Sequence, residues 1–363
     1  MKKTLSQEDL IRCIEKKQLI GLNEVSLRNS LQPSSMDITL GSVGFLLPHR
    51  ALAPDISIEE LCSKVALETL DLNSKTLLLK NQTYLIETNL EINLDSNLCA
   101  KCSPKSSIGR IDVLVRAICS ANGVYDIIAH NESGKLYLEI TPQSFNIIVE
   151  RGVAVSQIRV FEESNHKTCD TNSLSKNILE KSIINISSNK LLKPVFEEEM
   201  VFLTLEINNS TFGYVAKHTH IPIDLTKINY YDPKDFFEPI KVSTGINKKN
   251  CITIEKDKFY IFHTKELISV PLTHSIEMIP YSYTIGDFRA HYAGFFDPGF
   301  GGQNGATGVL EIRSSEDIVV FDGQPICSIT AYENSSTPLK GYGENNNNYQ
   351  GQKGPKLSKF FKS

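Results

Sequence analysis

The chain is written twice. TLLLKNQTYLIETNLEINLDSNLCAKCSP at 76–104 can be laid on ITIEKDKFYIFHTKELISVPLTHSIEMIP at 252–280, so that Tyr84 falls on Tyr260 and Pro104 on Pro280, both 176 residues apart. Farther on, Asp126 falls on Asp297, Gly152 on Gly323 and Phe161 on Tyr332, all 171 apart. Two copies are too few for a solenoid, so a duplicated domain is expected rather than an open repeat array.

Each copy is a series of short β-type runs separated by turn residues every eight to twelve positions. In the first half these include MDITLGSVGFLL, IDVLVRAI, KLYLEIT and VAVSQIRVF; in the second, MVFLTLEI, TGVLEIRS, IVVFDG and PICSITAYE. That pattern is the signature of an all-β sandwich or barrel. The first thirty residues read differently. QEDLIRCIEKKQL has apolar residues at helical spacing with Ser6 as its N-cap, and NEVSLRNSL makes a second short helix. The expected organisation is a first repeat with N-terminal helices over 1–165, a polar linker over 166–195, a second repeat over 196–340 and a flexible tail over 341–363.

With 363 residues the chain is long enough for two cores. A formal net charge of −4 argues against nucleic-acid or membrane-surface binding by bulk electrostatics. No run of about 18 apolar residues is present, and the N-terminus lacks the apolar core of a signal peptide, so a cytoplasmic location is expected. The eight cysteines are irregularly spaced and expected to be free thiols. Cys99 and Cys102 form a C-x-x-C, but on a strand residues three apart point to opposite faces, and neither a second pair nor histidines at ligand spacing accompany them.

Three features carry chemistry. In PKSSIGR at 104–110, the Ser106 and Ser107 hydroxyls, the Lys105 charge and the bidentate fork of Arg110 suit phosphate oxygens. A solvated turn whose serines cap their own backbone is the plain alternative. AGFFDPGFGG at 293–302 has a carboxylate, Asp297, flanked by glycines such as Gly299 that allow close backbone approach; an ordinary β-turn over core phenylalanines is the other reading. KLYLEI and GVLEI each hold one glutamate, Glu139 and Glu311, in an otherwise apolar strand. Burial would raise its pKa towards general-base use, unless alternation puts it on the solvent face. The cations of PKSSIGR have no counterpart in PYSYTIG at 280–286, while the Asp-Pro-Gly of the second half is missing from NGVYDIIAHNESG in the first. Each copy holds the half-site that the other lacks, as expected if one composite site forms where they meet. The zinc-deaminase signature and the P-loop are absent from the sequence.

PKSSIGR, AGFFDPGFGG followed by VLEI, the tail NNNNYQGQKGP and the N-terminal LQPSSMDITLG at 31–41, in this order over most of the chain, resemble the dCTP deaminases of the trimeric dUTPase superfamily, in their long two-repeat bacterial form. The resemblance implies mainly β architecture, with two tandem distorted β-barrel (jelly-roll) repeats and a few short helices. It also implies hydrolytic removal of the 4-amino group of dCTP without zinc, with Mg2+ accompanying the triphosphate, a homo-oligomer, and dTTP as a feedback inhibitor. Carried over residue by residue, Lys105, Ser106, Ser107 and Arg110 match the phosphate-binding motif. Ser106 and Arg110 also reach towards the reacting end. Asp297 and Gly299 match the deoxyribose turn, Glu311 the residue that activates water, and Tyr349, Gln350 and Gln352 the tail that folds over the nucleotide. Glu139 stands at the same motif position as Glu311 and is the alternative base. The Ala-Gly-Phe-Phe before Asp297 is also compatible with relatives that hydrolyse dUTP further to dUMP and pyrophosphate. A non-catalytic nucleotide-binding relative and a structural β-barrel module are the readings outside enzymes.

Overall fold

The computed structural model describes residues 2–21, 24–50, 56–119, 123–163, 182–184, 196–197, 200–208, 211–244, 250–279, 289–290, 294–344 and 348–363. Most of the 166–195 linker and the PYSYTIG segment, with Pro280, lie outside the described residues.

Both halves are β structures. In the first, seven strands run in the order Val113–Cys119, Ser133–Pro142, Thr83–Asn93, Met36–Leu47, Ala154–Glu163, Leu98–Pro104 and Ile127–Ile128. The pairings along this path are antiparallel. In the second half, Phe259–Ile268 pairs with Ala306–Arg313, and Pro325–Glu333 lies between Met200–Thr204 and His274–Ile279.

The duplication is preserved in the ladders. Glu139 stands opposite Leu85, and Glu311 opposite Ile261, which is Leu85 displaced by the repeat offset of 176. The repeated tyrosine does the same work twice: Tyr84 Oη accepts from the Leu79 amide at 2.8 Å and Tyr260 Oη from the Glu255 amide at 3.0 Å. Corresponding positions also meet across the seam. Phe161 and Tyr332 pack edge to face at 5.0 Å, and Lys101 pairs with Glu277, again 176 residues apart.

The two repeats are not separate bodies. Ile223, Leu225, Phe236 and Phe237 of the second half belong to the core of the first. Strand Ile223–Asp224 pairs in parallel with Ile147–Val149, and Phe145 meets Phe236 and Phe237 edge-on at 5.4 and 5.5 Å. YYDPKDFFEPI at 230–240 therefore seals the neighbouring barrel. At the N-terminus, helices form over Gln7–Glu15 and Glu24–Asn29. Ser6 occupies the N-cap position with extended backbone, but its hydroxyl makes no cap bond. It donates to Asp9 and shares a 2.6 Å hydrogen bond with Ser336, tying the helix to the second repeat instead. No helix among the described residues is long and apolar enough to cross a membrane.

Candidate active site

Strand Leu98–Pro104 ends in a proline, and a single helical turn, Ser106–Gly109, follows it. Residues 104–110 are thus a rigid corner rather than a solvated loop. A cavity of about 260 Å³ opens against this corner. Its wall includes Lys105, Ser106, Ser107 and Arg110 from the first repeat, and Phe296, Asp297 and Glu311 from the second. Tyr349, Gln352 and Lys359 come from the tail.

Glu311 lies two residues from the end of Ala306–Arg313, 7 % exposed. Its carboxylate abuts the corner so closely that a Cβ on Gly109 would stand 2.1 Å from Oε2. Burial pushes its pKa up to about 8, opposed by the Arg110 charge and reinforced by Asp112. Asp112 is itself fully buried and ion-paired with Arg313, a first-repeat carboxylate held by a second-repeat guanidinium. Burial raises its pKa too, against the pull of Arg313.

Glu139, the alternative base, is equally buried and its pKa is also raised by burial. It lies off the cavity wall. Tyr125 Oη donates to it at 2.8 Å, and Arg50 Nε is 3.5 Å away. In place of a substrate-sized space, its own repeat closes over it.

Arg110 is 3 % exposed. Its guanidinium stacks on the Tyr349 ring at 3.9 Å and donates to the Lys356 carbonyl at 2.8 Å. Its Nε is buried without a protein partner. Lys105 is ion-paired with Asp37. Lys359 completes a group of three cations on one wall; burial lowers its pKa, and the nearby Lys105 lowers it further.

Asp297 is bound from both sides. Ser34 donates to it at 2.7 Å and Ser35 at 3.3 Å. Arg159, fully buried, pairs with it at 3.2 Å and also donates to the Ile276 and Phe296 carbonyls. The N-terminal LQPSSMDITLG thus braces both half-sites, Ser34 and Ser35 holding Asp297 while Asp37 holds Lys105. Gly299 is off the cavity wall. It has φ 89°, and a Cβ there would stand 2.9 Å from the Tyr342 amide, so it shapes the turn on which the tail lies.

Gln350 also works away from the cavity. It clamps tail to turn, accepting from the Gly301 amide at 2.9 Å and donating to the Gly299 and Tyr342 carbonyls. Gln352 donates to the Thr307 carbonyl at 2.7 Å, leaving its buried Oε1 without a partner on the cavity wall. Beyond it, Ser358 donates to the Ser107 carbonyl, and Phe360 and Phe361 enter the first core.

Sequence reasoning missed Lys359, Arg159 and the roles of Ser34, Ser35 and Asp37. An arginine inside the apolar strand VAVSQIRVF was the available signal for Arg159, since a buried charge needs a partner.

The fold and the shared cavity define an enzyme built of tandem dUTPase-like β-barrels. Family models for the N-terminal and C-terminal domains of 2'-deoxycytidine 5'-triphosphate deaminase match residues 2–164 and 173–361. The chain belongs to the dCTP deaminase family. Among solved structures it is similar to the 2'-deoxycytidine 5'-triphosphate deaminase of Agrobacterium tumefaciens, with a TM-score of 0.81 and 27 % identity over 93 % of this chain and 99 % of that one. Comparison with curated protein sequences produced no match.

Proposed function

We propose that this chain deaminates dCTP to dUTP and ammonia in the cavity between its repeats, with Glu311 as the base. The observation that carries the reading is the contact of a buried second-repeat carboxylate with the first-repeat corner Ser106–Gly109, beside Arg110. Ionised Glu311 takes a proton from water, and the hydroxide adds to C4 of cytosine. The protonated carboxyl gives that proton to N3, then carries the C4 hydroxyl proton to the amine as the C4–N bond breaks and the carbonyl forms, which releases ammonia. A pKa near 8 suits a group that must take and give a proton in one cycle.

The Ser106 hydroxyl and backbone amides of the corner stabilise the charge that develops at the ring. Lys105, Ser107, Arg110 and Lys359 bind the triphosphate and so position the base. Asp297 accepts from the deoxyribose hydroxyl, and Tyr349 with Gln352 covers the nucleotide and excludes water. A magnesium ion accompanying the triphosphate would be held by phosphate oxygens and water and would offset the phosphate charge, because Asp37 and Asp297, the wall carboxylates besides Glu311, already face Lys105 and Arg159.

Incubation with dCTP and chromatographic separation of the products tests this. Ammonia with dUTP is expected. dUMP with pyrophosphate would mean that the same site also hydrolyses the triphosphate, and unchanged dCTP would sink the proposal.

A further inference from the structure

The C-x-x-C of the first repeat does not act as a pair. Cys102 faces the core, as an inward residue of Leu98–Pro104 must. Cys99 turns the other way, where His130 and Glu163 await it. Their donor atoms, one from each residue, all lie within 4.8 Å of one another. Cys99 Sγ is 3.8 Å from Glu163 Oε1, and His130 Nε2 is 3.2 Å from Glu163 Oε2. Bonds of about 2.0–2.3 Å around a tetrahedral zinc place nitrogen, oxygen and sulfur donors roughly 3.3–3.6 Å apart, so small side-chain adjustments suffice.

The donors come from separate but fixed pieces of backbone. Cys99 lies in the ladder opposite Phe161. Glu163 ends the neighbouring strand, and its amide donates to the Asn97 carbonyl at 2.9 Å. His130 sits on a turn that Glu132 closes by accepting from the Ala129 amide at 2.7 Å, while the Leu94 amide donates to the Glu132 carbonyl. His130 Nδ1 is buried with no partner, so the ring can hold its proton there and turn the Nε2 lone pair to an ion. The His130 and Glu163 side chains remain 37 % and 43 % exposed, which leaves an entry path and a position for water.

We propose that Cys99, His130 and Glu163 form a binding site for a divalent zinc-type ion, with water as the fourth ligand. Thiolate, imidazole and carboxylate together select a borderline-soft cation over magnesium or calcium. Binding draws the Sγ proton off Cys99 into solvent and displaces the Lys2 ammonium, now 3.5 Å from Glu163. No electron transfer is involved. Cys99 lies five residues from Pro104, about 17 Å along the strand, so the ion takes no part in catalysis. It staples the point where the chain leaves the first repeat.

The test is titration of the metal-stripped protein with Zn2+ against a chromophoric chelator, and with Co2+ followed by thiolate-to-metal absorption. One equivalent tighter than about 10 μM is expected, weakened at least about tenfold in both Cys99→Ser and His130→Gln. Deaminase activity should be unchanged in both variants, and Tm should rise with Zn2+ in the parent chain only. Weaker binding than this, or binding that either variant leaves intact, overturns the site. Far-UV CD of the metal-free variants separates a lost ligand from a lost fold.

Discussion

Gly109 and Glu311 share one niche: the carboxylate of the second repeat fills the space that a side chain on the corner of the first would need. Gly109→Ala should therefore push the base out of place while Ser106, Ser107 and Arg110 remain. A displacement of about 1 Å can lower turnover roughly 100-fold. Steady-state kinetics on dCTP should show that loss in kcat with KM moved little; wild-type kcat would contradict the packing.

Glu311→Gln should lower kcat by about 10²–10⁴ while dCTP still binds, as calorimetry can show. Glu139→Gln should keep near-parent turnover, because Tyr125 and Arg50, not the cavity, face that carboxyl. The opposite pattern would reverse the assignment of the base.

The acid limb of kcat/KM should titrate near pH 8, since free enzyme with a protonated Glu311 cannot accept from water. The same group links stability to pH. Unfolded, it releases its proton near 4.5; folded, near 8. Its contribution is therefore fully present below 4.5 and is lost as pH rises through 8. Glu311→Gln removes that loss, so the variant should gain on the parent between pH 5 and 9 by as much as about 4 kcal/mol. Urea unfolding at both pH values measures the difference, and a constant offset would rule out a displaced pKa.

Arg159 is not itself a wall residue, yet it fixes Asp297 of the wall from a fully buried position. Arg159→Met leaves that carboxylate without its counter-charge, at about 3–5 kcal/mol of stability. If Arg159 positions the sugar turn, KM for dCTP should rise at least tenfold with a smaller change in kcat, and Arg159→Lys should recover part of it. Equal losses in both constants would make Arg159 merely structural.

Phe360→Ala with Phe361→Ala should release the tail. Both rings are buried in the first core, and hydrogen bonds from Asn229, Tyr230 and Lys362 amides tie the chain end to the 229–231 segment. Amide exchange should speed up over 348–363, and KM should rise as Tyr349 leaves Arg110. Unchanged exchange would mean that Gln350 and Gln352 suffice as anchors.

Features written contiguously are legible in the residues themselves. The two half-sites are local motifs, and the duplication survives as Tyr84 and Tyr260, whose hydroxyls accept equivalent amides. In the sequence only the resemblance of AGFFDPGFGG followed by VLEI ranks Glu311 ahead of Glu139, because KLYLEI and GVLEI set the same local register. What differs is the surface opposite: Tyr125 and Arg50 in one case, Gly109 in the other. Likewise nothing near Ser34 and Ser35 signals Asp297, nor does DPKDFFEPI announce that it completes the other barrel's core. These are contacts between distant segments, which local pattern does not encode. The mobility expected of a polar Gly/Asn tail took no account of two phenylalanines at its end.

Complementary loss has a consequence. Each copy lacks what its twin retains, PKSSIGR standing in the first repeat and the Asp-Pro-Gly turn of Asp297 in the second. On the proposed reading neither half alone makes the site, and a change at Gly109 or Glu311 has no substitute, since Glu139 faces Tyr125 and Arg50 rather than the cavity. The chain uses two repeats to line one cavity, so a change in the seam between them tells on that cavity as directly as a change in its wall.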